Sequence, residues 1–104
     1  MNMNNCSFVG RLTADAELSY TNSNVAFSKF RIAINDRRRD HTTFVTVVVF
    51  GKQAEGISEY LTKGKLVGVE GALEIKSYES EGQKRESVSI IANNVQLGPK
   101  KTDD

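Results

Sequence analysis

Tryptophan is absent from this chain, and cysteine, histidine and proline each occur once. Without tryptophan, every flat aromatic surface has to come from the five phenylalanines and three tyrosines. The single cysteine, Cys6, excludes an intramolecular disulfide. It alternates with Phe8, Gly10 and Leu12, the pattern of a small core residue rather than a reactive thiol. Cys6 and His41 are too few to hold a metal. No serine or cysteine has a base at meaningful spacing, and no glycine-rich phosphate loop precedes a helix. No catalytic residues and no cofactor are expected. No apolar run approaches a membrane span and no charged-then-apolar leader opens the chain, so the expectation is a cytoplasmic protein with no membrane partner. A bias to one charge is lacking too: the formal net charge is +1, so bulk charge does not announce a polyanion partner.

What is present fits one small domain. The 104 residues are 38% hydrophobic and 26% charged, a globular composition able to bury one core. Alternation predicts strands over residues 5–12, 18–21 and 25–35, with a turn at Asn22-Ser23-Asn24. Ala26, Ser28, Phe30, Ile32 and Ile34 form a core face; Val25, Phe27, Lys29, Arg31 and Ala33 form the other. Residues 35–43 (NDRRRDHTT) have no period and read as a mobile charged loop. Residues 44–64 (FVTVVVFGKQAEGISEYLTKG) read as a strand to Phe50, a break at Gly51, a helix over 53–63 and a stop at Gly64. Residues 66–78 and 85–97 are two long strands around a turn at Glu81-Gly82, with Val67, Val69, Leu73 and Ile75 inward. Gly10 marks a bulge or a close backbone approach, and Gly71 falls mid-strand, where a strongly curled sheet needs a residue without a side chain. One helix between the third and fourth long strands, and bent glycine-interrupted strands, make this an all-β chain: a five-stranded Greek-key OB-fold barrel. The domain is expected over residues 1–98, with a short polar tail at 99–104.

The candidate site is a set of outward aromatics among cations. Phe44 and Phe50 are six residues apart on one strand, so both rings leave the same face. Tyr78 has the same outward register on its own strand, and Phe27 lies beside Lys29 and Arg31. Flat plates next to cations suit stacking of unpaired bases, at roughly 1–3 kcal/mol per base and with little sequence preference. Arg37, Arg38 and Arg39 repel one another unless an anion is expected, and Lys52, Lys76 and Arg85 add candidate phosphate contacts.

These residues also carry a resemblance. Val9-Gly10-Arg11-Leu12, Asp15-Ala16-Glu17-Leu18 with Tyr20, and residues 30–35 are followed by Val47-Val48-Val49-Phe50-Gly51-Lys52 with Ala54-Glu55. Glu59-Tyr60-Leu61, Lys63-Gly64, Val69-Glu70-Gly71 and Tyr78 complete an ordered set. From residue 4 to residue 97 the chain resembles the bacterial-type single-stranded DNA-binding proteins. The resemblance implies an OB-fold without catalytic activity, a partner in single-stranded DNA, and self-assembly as a homotetramer, with a dimer as the alternative. It implies protection of exposed strands in DNA replication, recombination and repair, at the nucleoid. It places the principal stacking aromatics at Phe44, Phe50 and Tyr78. Two of these are tryptophan in many members, so the stacking surface here is lighter and arginine contacts partly compensate. The chain stops at Lys100-Lys101-Thr102-Asp103-Asp104 without the family's linker and apolar acidic tip, which speaks against tail-mediated protein partners. Two rival readings remain at this stage: a primosome-type paralogue acting mainly as a protein adaptor in replication restart, and a barrel that binds RNA or protein with no strand-coating role.

Overall fold

The computed structural model describes residues 1–38 and 40–99. The strands are β1 (Cys6–Leu12), β2 (Glu17–Tyr20), β3 (Ala26–Asp36), β4 (His41–Phe50), β5 (Leu66–Ser80) and β6 (Gln83–Leu97). Helix α1 (Gly51–Ile57) follows β4, and a 3₁₀ turn (Ser58–Tyr60) completes the connection. Five strands close on themselves. β1 pairs with β5 and, at Arg11 and Leu12, with β3; β3 pairs with β4, β4 runs parallel to β6, and β6 returns to β5. This cycle, with its single parallel contact and its helix between β4 and β5, is the OB-fold barrel read from the sequence. The sixth strand, β2, is a short flap hydrogen-bonded to the outside of β3. Among the described residues no helix is long and apolar enough to cross a membrane.

The core follows the period-two pattern. Phe30 and Ile32 from β3, Val47 and Val49 from β4, Val67 and Val69 from β5 and Ile90 from β6 are buried, with Leu12 and Leu61 closing the ends. Each such side chain contributes about 1.5–3 kcal/mol by leaving water. Ala54 brings α1 against this layer. Ser28 is fully buried beneath the helix, and its hydroxyl lies 3.2 Å from that of Ser58.

Closure depends on two glycines. A Cβ at Gly10 would stand 2.6 Å from the Ala33 carbonyl oxygen, where β1 crosses β3. A Cβ at Gly71 would collide with the Ile91 carbonyl oxygen, next to a register shift between Glu70 and Gly71. Beyond Leu73↔Ile90, the last of these pairs whose β6 residue also pairs with β4, β5 and β6 continue as a two-stranded ribbon. It ends in the turn Glu81-Gly82, where both residues take positive φ (54° and 76°), the geometry of a two-residue hairpin loop.

Three expectations are corrected. The charged stretch at 35–43 is not a loop throughout: pairing continues through Asn35↔Thr42 and Asp36↔His41, so β3 and β4 form a hairpin that outruns the barrel. With no core beneath it, that pairing carries no apolar period. The helix stops at Ile57 rather than Lys63, since it contains Gly56 and the chain passes through the 3₁₀ turn to bury Leu61. Gly64 therefore caps no helix; its N–H donates to the Leu12 carbonyl, while the Lys63 N–H donates to the Asp15 carboxylate. Leu73 and Ile75 hold the inward register opposite Ile90 and Val88, yet they are exposed, because Leu73 lies past the last β1 pair at Gly71 and Ile75 also past the last β4 pair at Ile90. Residues 100–104, most of the expected polar tail, lie outside the described residues.

Candidate nucleic-acid interface

The outer face of the β3–β4 pair gathers five of the sequence-derived residues. Phe27 is directly opposite Phe50, and the ring centroids are 6.1 Å apart at 39°. This tilted contact joins two phenylalanines into one wider plate and adds about 0.5–1.5 kcal/mol beyond area burial. Phe50 is 45% exposed, so much of that plate is open. Phe44 lies at the other end of the face, about 20 Å along the strand. The Arg31 guanidinium carbon sits 4.6 Å from its ring centroid. Lys29 is exposed between the two stations, with Glu17 of β2 as its cross-strand neighbour.

The remaining candidates fall into separate places. Tyr78 is 48% exposed and pairs with Arg85 near the tip of the β5–β6 ribbon. Lys76 shares that ribbon, where its ammonium is 3.2 Å from Glu74, so part of its charge is already answered. Arg37 and Arg38 are exposed at the turn of the β3–β4 hairpin, where the Arg38 N–H donates to Asp36. Lys52 is exposed on the first turn of α1, two residues after Phe50. Arg39 lies outside the described residues.

Sequence reading placed Phe44 and Phe50 on the outer face, where they are exposed, but did not pair them. The contacts Phe27–Phe50 and Arg31–Phe44 depend on the β3–β4 register, which sets Phe27 opposite Phe50 and Ala33 opposite Phe44. It also passed over Glu17, whose alternation with Ser19 on a short strand gave the one available signal. Tyr20, exposed as well, has the opposite register and donates its hydroxyl to Glu55.

A closed barrel of this strand order, with one helix between β4 and β5 and an exposed aromatic and cationic outer face, is an OB-fold. The comparison with known proteins is narrower. Residues 3–98 match the model of the single-strand binding protein family, and the chain belongs to that family. The single-stranded DNA-binding protein of Treponema pallidum is 48% identical over 101 residues, covering 91% of this chain and 57% of its own length. Single-stranded DNA-binding protein 1 of Staphylococcus aureus strain MSSA476 is 41% identical over 112 residues, covering 98% and 70%. The single-stranded DNA-binding protein of Borreliella burgdorferi is 40% identical over 103 residues, covering 91% and 69%. The chain thus spans little more than half of the first relative and about two thirds of the others.

Proposed function

We propose that this chain binds single-stranded DNA with little sequence preference and protects exposed strands in replication, recombination and repair, in the cytoplasm at the nucleoid. The observation that carries the reading is the outer β3–β4 face, where the Phe27–Phe50 plate and the Arg31-backed Phe44 ring both stand open. Bases stack on these two stations and on Tyr78. Lys29, Arg31, Arg37, Arg38, Lys52, Lys76 and Arg85 meet the phosphates, and Arg39 joins them on the strength of the sequence. The relatives' names favour this reading over an adaptor.

The same proposal includes a homotetramer. β1 pairs with β5 over Cys6–Arg11 but with β3 only at Arg11 and Leu12, which leaves an edge, and Val9 on that strand is 63% exposed. Open edges and exposed apolar side chains of this kind favour a second copy.

The test is a titration with oligothymidylate, followed by tyrosine fluorescence, against duplex DNA of equal length. Quenching by the single strand, weakening with salt, is the expected result. Equal affinity for the duplex would overturn the reading.

A further inference from the structure

The flap strand β2 stands at the end of the sheet: it pairs with β3, and among the described residues no strand pairs with its other side. The bond from the Thr21 N–H to the Val25 carbonyl fixes which groups that open side presents. Thr21 and Val25 continue the β2–β3 register, so Ser19 and Glu17, in the same phase, turn their N–H and C=O groups to β3. Leu18 and Tyr20 point theirs away from it. Ala16 has the same outward phase, and its N–H donates to the Leu61 carbonyl at 2.8 Å, which closes one end of the edge. Leu18 and Tyr20 are 42% and 53% exposed. An exposed strand side of this kind is a template for one more strand.

Charge selects that strand. Residues 13–21 form the edge and 53–61 the helix and turn beside it; together they hold Asp15, Glu17, Glu55 and Glu59 and no base, in a chain of net charge +1. The Tyr20 hydroxyl donates to the Glu55 carboxylate at 3.3 Å, which brings the helix acids to the edge. Lys52 and Lys63 flank the second segment, and Lys29 lies across from Glu17 on the β3 side. The sign is opposite to that of the β3–β4 face and repels phosphates. Leu18 and Tyr20 share one face of β2, and Glu17 and Ser19 the other. A strand laid along the edge therefore sets alternate side chains beside two apolar residues and beside an acid.

We propose that the free edge of β2 docks a partner protein through an extended basic segment in which Lys or Arg alternates with apolar residues. The segment's backbone adds as a strand to Leu18 and Tyr20, and its apolar side chains cover those two. Its cations meet Glu17 on the other face and, from the segment's ends, Glu55 and Glu59. This site is independent of the strand-binding reading, since it uses none of the residues assigned to DNA.

The experiment adds the end-capped peptide KVRVKV to the isotope-labelled chain and follows amide shifts and hydrogen exchange by NMR. Peptides KRKVVV, of the same composition without alternation, and EVEVEV, of opposite charge, are the controls. Exchange at the Leu18 and Tyr20 amides should slow about fivefold or more with saturating KVRVKV and not with the controls. Glu55→Gln/Glu59→Gln removes two charges but keeps an acceptor for the Tyr20 hydroxyl; it should weaken the peptide about fivefold and leave oligothymidylate binding unchanged. No slowing with KVRVKV, equal slowing with EVEVEV, or shifts confined to the β3–β4 face would overturn the proposal. So would a glutamine variant that binds the peptide as tightly as the wild type. Slow exchange at Leu18 and Tyr20 in the free chain that speeds up as dilution lowers the mass by light scattering would give the edge to a second copy, and likewise overturn it.

Discussion

The Arg31 guanidinium lies 4.6 Å from the centroid of the Phe44 ring. The two residues are diagonal neighbours across the β3–β4 pair, since Arg31 faces Thr46 and Ala33 faces Phe44. A diagonal separation is within reach of a long side chain and an aromatic. At an exposed site the contact is worth about 0.5–1 kcal/mol. Its larger consequence is for binding: a 51% exposed ring is backed by a cation whose N–H donors stay free to meet a phosphate.

Arg31 is therefore predicted to act through charge and shape together. Arg31→Ala should weaken single-strand binding and reduce the slope of log affinity against log salt by about 0.7, the value for one phosphate on a single strand. Arg31→Lys should keep the slope but not the full affinity, because an ammonium lacks the planar fork. Titrations at several salt concentrations check both, and an unchanged slope in Arg31→Ala would remove it from the phosphate contacts.

Phe27 and Phe50 should behave as one unit. A double-mutant cycle on urea unfolding, with Phe27→Ala and Phe50→Ala, is expected to give a coupling of about 0.5–1.5 kcal/mol. Additive losses would mean two independent rings.

Gly71 is predicted to be intolerant of a methyl group. In Gly71→Ala the new Cβ meets the Ile91 carbonyl oxygen and stands 2.8 Å from the Ala92 Cα, so β6 has to move. The expected loss is about 1–3 kcal/mol by urea denaturation. Gly68→Ala is the control: its nearest neighbour is the Gln96 Cβ at 3.9 Å, and it should change stability far less. Equal effects at the two positions would count against backbone crowding as the cause.

Asn4 ties the N-terminal segment to the ribbon. Its side-chain amide donates to the Leu73 carbonyl at 2.9 Å and accepts from the Leu73 N–H at 2.9 Å, in the manner of a strand partner. Asn4→Ala should cost about 1 kcal/mol and speed hydrogen exchange at the Leu73 amide. An unchanged exchange rate would show that the ribbon holds Leu73 unaided.

The barrel was legible because its strands alternate wherever they cross the core, as in Phe30, Ile32, Val47 and Val49. Legibility failed where pairing outruns the core. Asn35 and Asp36 pair with Thr42 and His41 as strand without an apolar period, since Asn35, His41 and Thr42 are exposed. Alternation correctly put Leu73 and Ile75 on the inner register but carries no information on whether anything covers them. The rings at Phe44 and Phe50 were likewise placed on the outer face by period alone. Their partners, Arg31 and Phe27, needed the register.

The central claim is that the outer β3–β4 face holds unpaired bases, and the most direct test compares the wild-type chain with Phe44→Ala/Phe50→Ala in oligothymidylate titrations at fixed salt. At roughly 1–3 kcal/mol per stacked base, the double variant should lose about thirtyfold or more in affinity while keeping its fold and its salt slope. A folded double variant that binds single strands as tightly as the wild type would contradict the account.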